Sequence, residues 1–275
     1  MKAEIKKDLP MVEYLMHPAL GSSTLKNMLL SPADFKAARW ASSPPTPQTM
    51  LGEAIHTAIL EPEKFDKLYM LQPEDWGPKN KGEGYKKWKA FKAEADDKFM
   101  TPIGWEEAQK ITKVREAAAA HPHFNKILEK ADVEITAFAE LNGVDCKARA
   151  DILTHDGWFW DVKTTAKPVD DETLSRTVFN WGYHFQAAHH SAVFQGCGRE
   201  FQGWGWVFIS TGTPAVHVVM RKATPEVLNC GFADWEYAIE QFKLCSTDDF
   251  WPGMSQDVGE IGLPHWAMRD YDEEK

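Results

Sequence analysis

Two aspartates and a lysine flank a predicted tight turn near the middle of the chain. Asp161 and Lys163 lie two positions apart in the run DVKTT, and Asp151 precedes them in the run RAD. Because side chains of a strand alternate between its faces, Asp161 and Lys163 are predicted to share one face, with Val162 on the other. Two carboxylates beside an ammonium group suit a divalent cation at a site of hydrolysis.

The turn decides whether Asp151 joins that face. Residues 155–157 read His-Asp-Gly, which is typical of a three-residue hairpin loop with glycine in the left-handed conformation. With this loop Asp151 lies opposite Asp161, and directly opposed residues of an antiparallel pair share a face. A two-residue loop would oppose Asp151 to Val162 and point its carboxylate away. The three-residue loop is available without strain, and it brings the two carboxylates and the ammonium together.

The surroundings favour a buried cleft for this group. Carboxylates held this close repel each other unless a cation lies between them, and oxygen ligands favour Mg²⁺. An Asp-x-Lys pair more often belongs to a solvated surface hairpin. Here the neighbours Trp158, Phe159, Trp160 and Val162 are too apolar for an exposed strand.

Length and composition indicate one folded domain. The chain has 275 residues, 43% of them hydrophobic, with 12 Trp and 15 Phe, which is enough for a substantial core. We divide it into an N-terminal arm with helices (1–48), a core (49–222) and a C-terminal helix with an irregular tail (223–275). The chain has no apolar run of membrane-spanning length and no apolar signal region in MKAEIKKDLP, so we expect a cytoplasmic protein without membrane attachment.

The four cysteines and the charge restrict the partners. Cys146, Cys197, Cys230 and Cys245 have no paired zinc-ligand spacing, and we interpret them as reduced structural thiols. The net charge of −10 argues against a broad DNA-binding face and lowers the expected affinity for DNA without metal. The acidic residues are concentrated in the tail 271–275 and the loops, whereas 81–98 is rich in lysine. Aromatic residues at helical spacing in that lysine-rich segment favour a core stripe over DNA contact.

Periodicity predicts an α/β fold in which a mixed sheet of about five strands is flanked by helices. Residues 1–19 are predicted to form an extended or loosely packed arm, and 42–48 a linker. The predicted strands are 133–141, 144–153, 158–164, 204–210 and 215–221. The principal predicted helices are 49–60, 81–96, 105–120, 124–130, 170–178, 183–194 and 224–245, after two short ones that begin near Gly21 and Ser31.

Further candidates lie on these elements. His56 follows Gly52 by four residues, so both share one helix face, although a lone helical histidine is more often structural or exposed. Glu134 and Glu140 are candidates for a further acidic ligand. Glu140 is the stronger one, because the Asn-Gly turn at 142–143 holds it close to the next strand, but an exposed strand-end role is equally open. Arg149 shares the face of Asp151 and is placed to bind a phosphate or a carboxylate.

Three motifs in order carry a family resemblance. The run RAD-x9-DVKTT resembles the catalytic core of the PD-(D/E)xK nucleases, with Asp151, Asp161 and Lys163 at its motif positions. Together with GEAIHTAILEP at 52–62 and YHFQAAHHSAVF at 183–194, it resembles the exonuclease VIII (RecE-type) family of phage and prophage recombination nucleases. That family is grouped with the RecB nuclease domain. The resemblance spans about residues 20–195.

The resemblance implies a restriction-endonuclease-like core with an N-terminal helical extension. It implies that Asp151 and Asp161 hold one or two Mg²⁺, or Mn²⁺ as a substitute, with the Val162 carbonyl, His56 and Glu140 completing the site.

Catalytic and DNA-contacting roles are implied as well. Lys163 would position the attacking water, and Gln186 and Arg149 the phosphate. The other expected DNA contacts share hydroxyl groups and proximity to these motifs. They are Ser22, Ser23, Thr24, Thr164 and Tyr183, although the sequence alone favours ordinary helix caps for the first three.

We therefore expect a metal-dependent 5′ to 3′ exonuclease on double-stranded DNA ends. It would leave single strands for a recombinase or annealing protein, and by resemblance it would form a trimeric or tetrameric ring. Two alternatives stay open: a non-processive endonuclease or structure-specific nuclease, and a catalytically vestigial DNA-binding module. The intact Asp151, Asp161 and Lys163 set disfavours the vestigial module.

Overall fold

Six strands form one central sheet, and a separate pair of short strands lies apart from it. The computed structural model describes residues 2–41 and 44–263. The strands are β1 (Glu4–Lys6), β2 (Tyr69–Leu71), β3 (Thr101–Ile103), β4 (Ala131–Leu141), β5 (Val144–Thr154), β6 (Trp158–Thr165), β7 (Gly203–Ser210) and β8 (Val218–Lys222). The helices are α1 (Met11–Met16), α2 (Ser22–Leu25), α3 (Pro32–Trp40), α4 (Pro47–Leu60), α5 (Pro62–Leu68), α6 (Gly82–Asp97), α7 (Trp105–Ala120), α8 (Pro122–Leu128), α9 (Asp171–Asn180), α10 (Tyr183–Gly196) and α11 (Pro225–Asp248).

The central sheet is mixed, as predicted. Its order is β1-β4-β5-β6-β7-β8, and its one parallel pair is β6–β7. Parallel strands need a long crossover connection, and α9 and α10 supply it. The strand beyond the predicted five is β1, which pairs antiparallel with β4 at the sheet edge. The N-terminal arm is therefore more ordered than predicted, since it holds both this strand and α1.

Helices cover both faces of the sheet and enclose two hydrophobic cores. One core joins the sheet to the first helices and to α9, α10 and α11, and is represented by Phe35, Phe185 and Trp235. The other joins the opposite face to α4, α5, α7 and α8, and includes Ile55 and Ile111. The sheet is thus the middle of three layers, which is the predicted α/β architecture.

Most predicted helices appear within two or three residues of their expected bounds. The helix α7 spans the predicted 105–120, and α4 begins at Pro47, where the Thr46 side chain accepts a hydrogen bond from the Thr49 N–H. The short helices α1 and α5 were not predicted. On the lysine-rich helix α6, Phe91 is buried and stacks with Trp88, as expected of a core stripe.

Some sequence predictions lie outside the described residues. These are residues 42–43 of the predicted linker and residues 264–275, which include the acidic tail. Within the described part of the chain, no helix combines the length and apolarity needed to cross a bilayer.

Candidate metal-binding active site

The central sheet opens between β5 and β6. The two strands pair at Ile152–Trp160 and Leu153–Phe159, which is the register given by the predicted three-residue turn, and Gly157 is left-handed with φ 88°. One step further this register opposes Asp151 to Asp161, and there the backbone ladder stops. On their other edges β5 stays paired with β4 and β6 stays paired with β7. The two aspartates therefore lie at the apex of a cleft.

A segment from the N-terminal region lies along the edge of β5 that this opening exposes. The Leu20 N–H donates to the Asp145 carbonyl oxygen at 2.8 Å, and the Lys147 N–H donates to the Leu20 carbonyl oxygen at 2.9 Å. Because α2 begins two residues after Leu20, this pairing brings the first turn of α2 alongside the cleft.

The β4–β5 ladder is interrupted at the same level. Paired residues on either side, Val133–Ile152 and Ile135–Ala150, oppose Glu134 to Asp151. Glu134 has φ 50°, a left-handed conformation that costs a non-glycine residue about 1–2 kcal/mol. The alternation of the strand inverts there, because Val133 packs against the α4 side of the sheet and Ile135 belongs to the α10 side.

Three acidic residues consequently form a row across three strands. Glu134, Asp151 and Asp161 occupy successive opposed positions on β4, β5 and β6, where both ladders are interrupted. Backbone strain of this kind persists where the surrounding structure enforces it, and it is concentrated at functional sites.

Asp151 is bound by both the neighbouring strand and a helix. The Val162 N–H donates to Asp151 Oδ2 at 2.7 Å, and His56 Nδ1 on α4 lies 3.7 Å from the same oxygen. The N–H and C=O of one strand residue point to the same edge, which places the Val162 carbonyl on the cleft side of β6. The helix α4 packs close to β6 at Gly52, where an added Cβ would lie 3.4 Å from Thr164 Oγ1.

Asp161 belongs to an adjoining set of contacts. Its side chain is 2% exposed, and its Oδ1 accepts a hydrogen bond from Gln186 Nε2 at 2.8 Å. Its Oδ2 lies 2.7 Å from Lys163 Nζ, but this ion pair is not a directed hydrogen bond, and that buried oxygen has no hydrogen-bond partner within the described residues. Lys163 Nζ also lies over the ring of Tyr183, 4.7 Å from its centroid.

Burial and the neighbouring charges shift the pKa values of Glu134, Asp161 and Lys163. Burial, reinforced by the charge of Asp151, raises the pKa of Glu134 to about 8. Burial raises the pKa of Asp161 to about 7, where the Lys163 charge opposes and the Asp151 charge adds to the shift. Burial alone would lower the pKa of Lys163, but the Asp161 and Asp151 carboxylates outweigh it, so the pKa is raised. The acids thus retain protons that a bound cation would replace.

A divalent cation fits this arrangement. The ligand atoms of His56, Glu134 and Asp151 lie within 4.8 Å of one another. The Asp161 carboxylate lies beside this group, paired with Lys163 and Gln186, and the Val162 carbonyl faces the same cleft. Oxygen donors of this kind suit Mg²⁺, and the imidazole adds preference for Mn²⁺.

The structure does not bring Glu140, the predicted further acidic ligand, to the other site residues. Glu140 is exposed and opposes Asp145 next to the hairpin turn. It lies six residues from Glu134 along β4, about 20 Å at the rise of a strand. Glu134 takes the position instead, because the left-handed backbone there directs its carboxylate toward Asp151.

Arg149 is engaged elsewhere than predicted. Its Nε donates to Thr136 Oγ1 at 2.9 Å, one NH2 group donates to the Leu9 carbonyl oxygen at 2.6 Å, and its guanidinium lies over the Tyr14 ring. The residue holds the N-terminal arm against β5. Its positive charge still acts on the site, because it partly opposes the rise in the pKa of Glu134.

The N-terminal candidates lie beside α10. Ser22 Oγ lies 3.4 Å from His190 Nε2, Ser23 is exposed and Thr24 is half-buried. Lys26, one turn later, was not singled out from the sequence. Burial and then the charge of Lys163 lower the pKa of Lys26, which places two ammonium groups near each other at this side of the cleft.

Comparisons with known proteins agree with this geometry. The family model DUF3799, described as a PDDEXK-like domain of unknown function, matches residues 21–261. A crystal structure of a "Putative exonuclease" from Eubacterium rectale superposes with a TM-score of 0.59 and 12% identity, covering 96% of this chain and 98% of that one. The structure of SSO0001 gives a TM-score of 0.29 at 12% identity over 72% of this chain and 88% of that one, too low to support an argument. No curated protein matches the chain.

Proposed function

Because the chain belongs to the PDDEXK-like family, we propose that it is a Mg²⁺-dependent deoxyribonuclease. The observation that supports this most is the row of Glu134, Asp151 and Asp161 at the point where the sheet opens, with His56 beside it. Lys163 lies next to the row. A bound divalent cation would supply charge neutralisation at a phosphate and a lowered pKa for water.

The residues of the chain would divide the remaining tasks. His56, Glu134 and Asp151 would hold the cation, with Asp161 and the Val162 carbonyl as further ligands. The pKa of Lys163 is raised, so the ammonium stays protonated and can donate to an attacking water or a phosphate oxygen rather than accept a proton.

Two further side chains would keep Lys163 and Asp161 in place. Gln186 holds one oxygen of Asp161 by its hydrogen bond and leaves the other directed at Lys163. Tyr183 covers the ammonium on its ring face, which restricts where Lys163 can point. Both lie on the first turns of α10, so this helix orients the catalytic pair.

The phosphate would bind on the side of the cleft where Lys26 and Lys163 come together. Two neighbouring ammonium groups attract an anion, and the repulsion between them is relieved when one binds. The hydroxyls of Ser22, Ser23 and Thr24 on α2 and that of Thr164 on β6 would contact the DNA backbone beside this phosphate. The net charge of −10 agrees with DNA contact confined to such a narrow region.

The finer activity rests on the family resemblance. We propose degradation of double-stranded DNA from its ends in the 5′ to 3′ direction, leaving single strands for a partner annealing protein in recombination. A homo-oligomeric ring of three or four subunits around the DNA would hold the substrate without a strongly basic surface. The neighbour named as an exonuclease supports the exonuclease over the endonuclease.

One assay tests the proposal and its alternatives. Linear duplexes labelled at either the 5′ or the 3′ end, and closed circular DNA, are incubated with the protein in Mg²⁺ or EDTA. We expect Mg²⁺-dependent release of the 5′ label as short products while circles stay intact. Nicking of circles would favour the endonuclease, and DNA binding without cleavage would favour a vestigial module.

The inactive variant for this assay is Asp161→Asn, which keeps the side-chain volume at this buried position. We expect this variant to fold normally and to leave the linear DNA uncut. Normal cleavage by Asp161→Asn would show that a different site, or a contaminating nuclease, cuts the DNA.

A further inference from the structure

A second group of metal-ligating side chains lies at the crossing of α10 and α11. The ligand atoms of His184, Cys230 and Asp234, here called the α10–α11 cluster, lie within 4.8 Å of one another. His184 is buried, Asp234 is half-buried and Cys230 is exposed. The cluster shares no residue with the proposed catalytic site.

Two features of the α11 sequence bring the residues of this cluster together. Cys230 and Asp234 are four residues apart, so they project from one face of the helix. Gly231, next to Cys230, packs against the backbone carbonyl of His184, where any Cβ would clash. The glycine therefore lets the two helices approach closely enough for side chains from both to meet around one point.

The contacts of His184 orient one of its ring nitrogens into the cluster. Its Nδ1 lies 3.3 Å from the Val178 carbonyl oxygen, and because a carbonyl only accepts, Nδ1 carries the hydrogen. Its Nε2 lies 3.1 Å from Asp234 Oδ2, which directs this nitrogen into the cluster. Metal-binding histidines commonly donate their other ring nitrogen to a carbonyl, which is the contact that Nδ1 makes here.

The donors select the class of metal. One imidazole nitrogen, one thiolate sulfur and one carboxylate oxygen are the ligands of Zn²⁺ and similar borderline-soft ions, in contrast to the oxygen-rich catalytic group. Three protein ligands leave one position of a tetrahedron open. His184 and Cys230 also line a cavity of about 460 Å³ bounded by Phe179, Trp206 and Val227, from which a water or small ligand can reach that position.

We propose that the α10–α11 cluster binds a Zn²⁺ ion whose fourth position opens into this cavity. The ion fixes the first turn of α10, the turn that carries Tyr183 toward Lys163 on its other side. Cys230 is then a metal ligand and not the plain structural thiol expected from its sequence spacing. This assignment stands independently of the nuclease proposal, since it uses none of its residues.

Cobalt spectroscopy of the full chain tests the assignment. Protein freed of metal by chelator and dialysed without oxygen is titrated with Co²⁺, which gives a thiolate-to-metal charge-transfer band in the near ultraviolet when a cysteine binds it. The catalytic group has no cysteine, so this band distinguishes a cysteine-containing site from the catalytic one. We expect the band with one Co²⁺ per chain, and its loss when Zn²⁺ is added.

Three variants locate the site. Cys230→Ser, at an exposed position, removes the band, whereas the matched control Cys197→Ser keeps it. Asp234→Asn preserves the side-chain size and weakens Zn²⁺ binding, measured by competition with Co²⁺, by at least about 10-fold. The absence of a band in the wild-type chain, or its persistence in Cys230→Ser, overturns the proposal.

Discussion

The hairpin of β4 and β5 carries two facing pairs of acids, one at each end. Near its turn Glu140 opposes Asp145, and both are exposed. At the other end the same register opposes Glu134 to Asp151, but there the ladder is interrupted and Glu134 is left-handed. The residue types are identical, and only the backbone and the surroundings differ.

The difference lies in what compensates the repulsion within each pair. At the turn both carboxylates are exposed, so the repulsion between them is screened and costs little. At the open end, burial removes that solvation, and the pKa of Glu134 rises to about 8. A pair of acids is therefore a candidate metal site where water cannot solvate it and a third ligand, here His56, lies within reach.

The largest expected effect separates the aspartates of these two pairs. Asp151→Asn keeps an acceptor for the Val162 N–H, so the fold persists, but it removes a metal-binding charge. We expect initial rates of cleavage of linear DNA in Mg²⁺ to fall by about 1,000-fold. The matched Asp145→Asn should cleave at the wild-type rate. Equal losses in the two variants would mean that the ends of the hairpin do not differ in function.

The two glutamates give the next effect. Glu134→Gln removes one proposed ligand, and we expect the Mg²⁺ concentration for half-maximal cleavage to rise by about 10- to 100-fold. Glu140→Gln should leave that concentration unchanged. A Glu134→Gln enzyme with wild-type Mg²⁺ dependence would exclude Glu134 from the metal site, whatever its position in the row.

Much of this site could be predicted because local rules determine it. The His-Asp-Gly turn fixed the register that opposes Asp151 to Asp161, and the alternation of β6 placed Asp161 and Lys163 together. The four-residue spacing on α4 put His56 and Gly52 on one helix face, and the family resemblance implied that this face meets the metal. The strand and helix pattern likewise gave the mixed sheet covered on both faces.

The errors arise where contacts distant in sequence override local rules. The left-handed conformation of Glu134 cannot be read from its residue type, because glutamate has no preference for it. The Asn-Gly turn favours Glu140, because it holds that residue close to the next strand, and this local signal carries no information on the backbone of Glu134. The carbonyl of Leu9 and the ring of Tyr14 engage the guanidinium of Arg149. Nothing in the run around Arg149 indicates those partners.

A smaller effect concerns stability and pH. The folded-state pKa values of Glu134 and Asp161, about 8 and about 7, lie above those of unfolded carboxyls. Their contribution is therefore full below the unfolded pKa and is lost as pH rises through 7 and 8. In EDTA we expect the melting temperature to fall from about pH 5 to about pH 9, with the stabilisation by Mg²⁺ growing over the same range.

Calorimetry with the two glutamate variants provides the control for this prediction. Glu134→Gln should show a weaker pH dependence in EDTA, whereas Glu140→Gln should follow the wild type. A stabilisation by Mg²⁺ that is the same at both ends of the pH range would show that the cation does not replace protons at these carboxyls.

The smallest effect isolates the backbone strain at the open end. Glu134→Gly and Glu134→Gln both remove the carboxylate, but only glycine adopts the left-handed conformation without penalty. We expect the glycine variant to be more stable than the glutamine variant by about 1 kcal/mol, or about 2–4 °C in melting temperature. The reference position is Asn142, which is left-handed with φ 53° in the hairpin turn. Asparagine tolerates that conformation, so Asn142→Gly should change stability by less. If the glycine variant at 134 is the less stable, the strand there relaxes without strain, and the site is shaped by its side chains alone.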